Sequence, residues 1–199
     1  MIFLCSSCSS EKQARTGSPP QEAGQSKTQG NRVITGQDEQ LADLGLTVPR
    51  IYGTQGIQIN YQADKYLNFY EDKSHTLLVV VYQLGTVNSF SNLAKDQDGV
   101  SKLLKGKLFD DTAIYVNQFF IEPGEKSRML IDRFENVKWV GIVAGYYDMI
   151  LGRITGSWEI PVTIEKKGTY GFRKMKAKIA PLIINLYLGP YSLQEVSNQ

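Results

Sequence analysis

From residue 57 onward, apolar and polar side chains mostly alternate with a period of two, the period of a strand that buries one face and wets the other. Ile57, Ile59 and Tyr61 alternate with Gln58, Asn60 and Gln62, and Trp158, Ile160, Val162 and Ile164 with Glu159, Pro161 and Thr163. The stretches Leu77–Leu84 and 137–147 are apolar on both faces, as strands covered on both sides are. With 112–121, 127–134 and 178–188 the pattern predicts seven strands. Pro123-Gly124 supplies a type II turn between the third and fourth, and Pro161 marks an edge or a bulge in the sixth. One stretch, about 88–106, departs from the alternation: Phe90, Leu93 and Ala94, then Val100, Leu103 and Leu104, recur at helical spacing. Asp98 is the expected N-cap there and Gly106 the residue just past the end. The prediction is an all-β chain, a two-sheet β-sandwich with a short helical insertion after the second strand.

Composition narrows the function classes. A formal net charge of +2 over 199 residues makes no electrostatic case for a nucleic-acid partner. One histidine, His75, and two cysteines, Cys5 and Cys8, supply neither a disulfide framework nor an ordinary zinc site. No apolar run reaches the roughly 18 residues of a membrane span. Gly152, Gly156 and Gly168 belong to no phosphate-binding loop. His75 sits in a polar run after Asp72, Lys73 and Ser74, and reads as a solvated loop histidine rather than a catalytic base. Asp110 and Asp111 are adjacent on an extended chain and point to opposite faces. The expectation is a binding protein: no enzyme, no cofactor, no metal and no small-molecule substrate.

The N-terminus has its own logic. Met1 to Leu4 are apolar, and Cys5-Ser6-Ser7-Cys8 follows. That spells C-x-x-C, a redox or metal pair in other settings. It also fits the end of a bacterial lipoprotein signal, with small Ser6 and Ser7 ahead of a lipidated Cys8; Cys5 fits less well because bulky Leu4 would adjoin the cut. Residues 1–8 are then a signal remnant, since a full signal carries a basic start and about 7–15 apolar residues. In bacterial lipoproteins an aspartate after the lipidated cysteine favours inner-membrane retention; Ser9 favours the outer membrane. Between Ser9 and Arg32 the only apolar side chains are Ala14 and Ala23, too few to offset the entropy of ordering. The stretch 9–48 is therefore a tether and transition, its first 24 residues spanning about 27 Å r.m.s.. Gln40 to Leu44 is suited to a helical turn within it, and the sandwich domain is expected over 49–199.

Two segments look made for binding. The connection of about twelve residues between the first two strands, 64–75, far exceeds an ordinary hairpin loop and carries Tyr66, Leu67, Phe69 and Tyr70. The segment 165–178, between the sixth and seventh strands, holds six basic residues and one acid, a composition suited to anionic lipid headgroups or an acidic partner.

A further set of residues carries a family resemblance. Leu67-Asn68 precedes the strand Val79-Val80-Val81-Tyr82-Gln83-Leu84; Phe90 and Leu93 follow in the insertion; then come Ile121-Glu122-Pro123-Gly124-Glu125, Val140-Gly141-Ile142-Val143-Ala144-Gly145-Tyr146-Tyr147-Asp148 and Trp158. In order and spacing, over about residues 55–164, this resembles the TssJ (SciN, VasD) family of outer-membrane lipoproteins of bacterial type VI secretion systems. The resemblance implies a transthyretin-like β-sandwich without catalysis, lipid-anchored on the periplasmic face of the outer membrane. It implies a partner, the periplasmic C-terminal region of the inner-membrane protein TssM, which with TssL completes a trans-envelope complex. Carried over by position, Cys8 is the lipidation site, and the partner loop is Lys65, Tyr66, Leu67, Asn68, Phe69, Tyr70, Glu71, Asp72, Lys73 and Ser74. The shortened signal and the basic segment 165–178 depart from the family pattern. Other readings of the same residues are a periplasmic glycan- or peptidoglycan-binding sandwich, a lipoprotein adaptor of another secretion system, and an enzyme using Asp110, Asp111 or Glu159.

Overall fold

The computed structural model describes residues 37–167 and 174–196, all within one compact unit, Asn31–Gln199. Among the described residues three short helices and ten strands follow in the order α1 (Gln37–Asp43), β1 (Gly53–Ala63), β2 (Leu77–Leu84), α2 (Asn88–Leu93), α3 (Gln97–Leu104), β3 (Ala113–Ile121), β4 (Lys126–Arg133), β5 (Trp139–Ala144), β6 (Thr155–Glu159), β7 (Val162–Lys167), β8 (Lys174–Ile179), β9 (Leu182–Leu188) and β10 (Leu193–Glu195). One sheet has the order β10-β9-β1-β4, the other β3-β2-β5-β6, and β7 with β8 forms a separate ribbon. β1 and β9 run parallel; every other pairing is antiparallel.

The alternation read from the sequence is the division between inside and outside. On β1, Ile57, Ile59, Tyr61 and Ala63 are buried while Gln58, Asn60 and Gln62 are not, and Leu182, Ile184, Leu186 and Leu188 repeat the pattern on β9. β2 is apolar on both faces because it is covered twice. Gln83 reaches across to β4 and the residue beyond it, so the odd-numbered side of β2 faces the other sheet. The even-numbered side lies under the helices: the Tyr82 hydroxyl donates to the Leu103 carbonyl at 2.6 Å, and the Tyr82 and Phe90 rings are 6.0 Å apart. Burial pushes the Tyr82 hydroxyl pKa up to about 12. Gly141 on β5 lies beneath Phe90, where a Cβ would come within 2.8 Å of the ring, so only glycine lets the helix approach this closely.

Local chemistry sets the element ends. The Pro123-Gly124 turn forms as expected, with Gly124 at φ +77° and the Glu125 N–H donating to the Glu122 carbonyl at 3.1 Å. Gly106, at φ +61°, closes α3. The N-cap of α3 is Asp96, not the expected Asp98: the Asp96 carboxylate accepts from the Gly99 N–H at 2.7 Å, and Asp98 stands in the first turn. Asp96→Ala is therefore expected to cost about 1 kcal/mol of stability and Asp98→Ala only a few tenths, read by urea unfolding.

Three further expectations are corrected. The sixth and seventh strands are each two strands, divided at Pro161 and at Ala180-Pro181. A proline donates nothing to a ladder, and here the two breaks face one another, with the Ala180 N–H bonded to the Pro161 carbonyl at 2.8 Å, so the chain leaves both sheets together and returns as the β7–β8 ribbon. The fifth strand stops at Ala144, and β10, absent from the sequence reading, pairs with β9. Part of the stretch assigned to the transition packs on the domain. α1 puts Leu41 against Val162 and Ala177, and its Asp38 pairs with Arg50 at 3.0 Å and Lys138 at 2.6 Å. It ends in a Schellman closure, with Gly45 at φ +62° and the Leu46 N–H donating to the Leu41 carbonyl.

Candidate docking surface

Four connections meet at the end of the sandwich where β1 finishes: 64–76, 122–125, 145–154 and 189–192. They interlock through the backbone. Gly124 N–H donates to the Asp64 carbonyl at 3.0 Å, Phe69 N–H to the Pro190 carbonyl at 3.0 Å, and Leu193 N–H to the Arg153 carbonyl at 2.8 Å. Tyr146 adds a hydroxyl bond to the Ser192 carbonyl at 2.8 Å. The Tyr187 hydroxyl bonds the Asp64 carboxylate, which with the Tyr66 N–H holds that carboxyl below its usual pKa range.

The long loop divides into residues that hold it and residues that it presents. Leu67 is fully buried and Asn68 is 3% exposed, so these two of the ten expected binding residues are anchors. Asn68 adopts φ +47°, which asparagine tolerates, donates from Nδ2 to the Thr76 carbonyl at 3.1 Å and accepts at Oδ1 from the Tyr147 N–H at 2.8 Å. It thus ties the β1–β2 loop to the β5–β6 loop. Asn68→Ala is expected to lose about 1–2 kcal/mol and to raise hydrogen exchange at Tyr147 N–H ahead of the core strands. Tyr70 and Lys73 exchange two backbone hydrogen bonds, 2.9 and 3.0 Å, around Glu71 and Asp72 at φ +48° and +59°: a type I′ turn built without glycine. Such a turn costs about 1–3 kcal/mol per strained residue and persists only where its surroundings hold it. Here Ser74 donates to the Lys65 carbonyl at 2.8 Å, His75 N–H to the Leu67 carbonyl at 3.0 Å, and His75 Nε2 lies 3.2 Å from the Tyr70 carbonyl.

What the loop presents is aromatic. Tyr66 is 49% exposed and Tyr70 44%, and both rings are supported from beneath. Phe69, half-buried, meets Tyr66 edge-on at 5.7 Å, and Lys65 Nζ stands 4.8 Å from the Tyr66 ring. Tyr70 stacks on Tyr147 at 4.7 Å and 12°, and His75 sets its edge against Tyr147 at 4.8 Å. Tyr147 is itself 55% exposed. Sequence reasoning missed it because it counted Tyr147 as a strand residue; its place past Gly145, where β5 has ended, was the available signal. Glu71, Asp72 and Lys73 are exposed, and His75 is half-buried rather than freely solvated.

The carboxylates weighed as catalytic do not converge. Asp110 accepts from the Thr112 N–H and hydroxyl at the start of β3, on one edge of its sheet; Glu159 lies on β6, the opposite edge, three strand spacings or about 14 Å away. Among the described residues no three His, Cys, Asp or Glu side chains gather where they would hold a metal, and no helix is long and apolar enough to cross a membrane.

A model of the type VI secretion lipoprotein family, T6SS-SciN (VasD, EvfM, TssJ), matches residues 55–180, a span that contains both aromatic loops. The chain belongs to this family. No curated protein sequence matches it. Among solved structures it is similar to Serratia marcescens Lip, a membrane-bound component of the type VI secretion system, with 15% identity, TM-score 0.54, and coverage of 72% of this chain and 98% of that one. It is also similar to the T6SS lipoprotein TssJ1 from Pseudomonas aeruginosa, with 17% identity, TM-score 0.51, and coverage of 76% and 98%. A chain of the structure described as the TssM C-terminal domain (869–1107) from EAEC matches at 12% identity and TM-score 0.52, covering 71% and 98%. At such identities the likeness is one of fold, that of the TssJ β-sandwiches, as the sequence resemblance implied. T6SS-SciN proteins are secretion-system lipoproteins and not a known enzyme family. Cys8 and residues 9–36 lie outside the described residues.

Proposed function

We propose that this TssJ-family lipoprotein is an outer-membrane-anchored periplasmic adaptor. It is held by a lipid on Cys8, binds the periplasmic C-terminal region of a TssM-type inner-membrane protein, and so helps assemble the TssJ–TssL–TssM trans-envelope complex. The observation that carries this reading is the aromatic end: Tyr66, Tyr70 and Tyr147, from two loops locked together by Asn68, stand exposed on a rigid sandwich. Aromatic anchors of this kind dominate protein–protein binding energy, and pre-ordered ones lose little entropy on association. A lipid anchor and flexible tether would confine the domain to one membrane surface and raise its effective concentration for a membrane-bound partner.

The test is a calorimetric titration of the chain with the periplasmic C-terminal region of a TssM-type protein from the same organism. Saturable one-to-one binding is the expected result. A folded chain that releases no heat and shows no complex by size-exclusion chromatography rejects the reading.

A further inference from the structure

The basic segment singled out in the sequence plays no part in the aromatic end, and the fold puts it at the opposite one. β7 and β8 leave the two sheets beyond Glu159 and return at Leu182, pairing from Val162↔Ile179 to Lys167↔Lys174. The ribbon is two-sided at its base. Val162 and Ala177 are buried under Leu41 of α1, with Ile164, Leu46 and Val48 packed around them, whereas Lys176 and Lys178 are exposed at alternate positions. Lys178 pairs with Glu165 at 3.0 Å.

Charge sets this segment apart from the rest of the protein. Six of the chain's 22 Lys and Arg, but one of its 20 Asp and Glu, lie within 165–178. The formal total is +2, so everything outside that segment is net negative. A chain with an excess of acid elsewhere and a local excess of base in 165–178 has, at that segment, an anionic surface as its complement.

Connectivity says which surface. The chain enters the domain at α1, and α1 is seated on the ribbon through Leu41. The point where the tether attaches and the basic ribbon therefore share one end of the sandwich, while the aromatic loops occupy the other, beyond an 11-residue β1 that spans about 36 Å. A connection with the reach expected for the 24 residues of the tether, about 27 Å, is several times the Debye length of about 8 Å, so charge acts only if the ribbon comes to rest on the surface.

We infer that the β7–β8 ribbon is a second membrane contact, docking on the anionic phospholipid headgroups of the leaflet that holds the anchor and so pointing the aromatic end away from that membrane. This rests on the lipoprotein reading for its setting. Its test does not depend on TssM: the unlipidated chain is sedimented with phosphatidylethanolamine–phosphatidylglycerol vesicles. Binding is expected at about 50 mM salt and lost at about 500 mM, where screening is much stronger. The variant Lys167→Gln, Lys174→Gln, Lys176→Gln is expected to bind on the order of 100-fold more weakly, and the corresponding three arginine substitutions to retain binding. Both variants should titrate the TssM region like the parent chain, whereas Tyr66→Ser, Tyr70→Ser should keep vesicle binding. No sedimentation at low salt, equal sedimentation with neutral phosphatidylcholine vesicles, or glutamine substitutions without effect would each overturn the inference.

Discussion

Replacing Tyr66, Tyr70 and Tyr147 together with serine is expected to weaken binding of the TssM periplasmic region by 100-fold or more while the domain stays folded. The magnitude follows from what the rings do. Aromatic residues at the centre of an interface typically cost about 2 kcal/mol or more each when truncated. Tyr70 and Tyr147 are stacked at 4.7 Å and act as one unit, so the three do not sum independently, and about 3–5 kcal/mol is the expected total. That corresponds to roughly two to three and a half decades in Kd. The fold should survive because all three rings stand more than two-fifths exposed, whereas Leu67 and Asn68, which hold the loop, are left in place. Tyr115 is a control of matched chemistry. It is 38% exposed and stacks on Phe134 at 4.2 Å, outside the aromatic loops, and Tyr115→Ser should leave TssM affinity unchanged. Parental affinity in a folded triple variant would show that the partner binds elsewhere.

The largest effect on stability from a substitution of nearly constant volume should come from Gln83→Leu. Gln83 is fully buried on the inner face of β2, a polar side chain in the middle of an apolar layer. Its amide is satisfied at both ends. Nε2 donates to the Asp132 carbonyl at 2.8 Å and Oε1 accepts from the Phe134 N–H at 2.9 Å. One side chain thus bonds the two sheets together where β4 ends. Leucine fills the space but leaves a carbonyl and an N–H facing apolar surroundings, each at about 1–3 kcal/mol. The expected loss is about 3 kcal/mol, or roughly 6–12 °C in Tm for a domain of this size. Urea unfolding measures it; a loss under about 1 kcal/mol would mean that the freed backbone groups find water.

Legibility followed the range of the interaction. The alternation on β1, the doubly apolar β2, the helical spacing of Phe90 and Leu93, and the Pro123-Gly124 turn are each written within a few consecutive residues, and each reappears in the fold. The N-cap of α3 slipped by two residues because Asp96 and Asp98 are chemically equivalent in the sequence, and only the direction of the Asp96 carboxylate distinguishes them. Pro161 signalled a break, but the facing break at Pro181, and hence a separate ribbon, requires knowing that the two segments pair.

The loop shows the same division. Four large apolar residues in a long connection marked it as either packed or reserved for a partner, and the structure buries one of them and leaves Tyr66 and Tyr70 exposed. Leu67 goes inward because the strand ends around it leave an apolar space, and Tyr66 and Tyr70 remain outside. Nothing local separates them. Tyr147 joins them from a segment 77 positions away, through Asn68 and the Tyr70 ring.

The β-sandwich class, the helical cover on one sheet, the acid and base inventory and the family are legible along the chain, because periodicity, turn chemistry and motif order are properties of neighbouring residues. Which loop residues anchor and which are presented, the parallel placement of β1 beside β9, and the opposition of the aromatic loops and the basic ribbon emerge from the folded chain. Those depend on contacts between residues far apart in the chain, whose partners are chosen by closure of the two sheets on one core and not by any local preference.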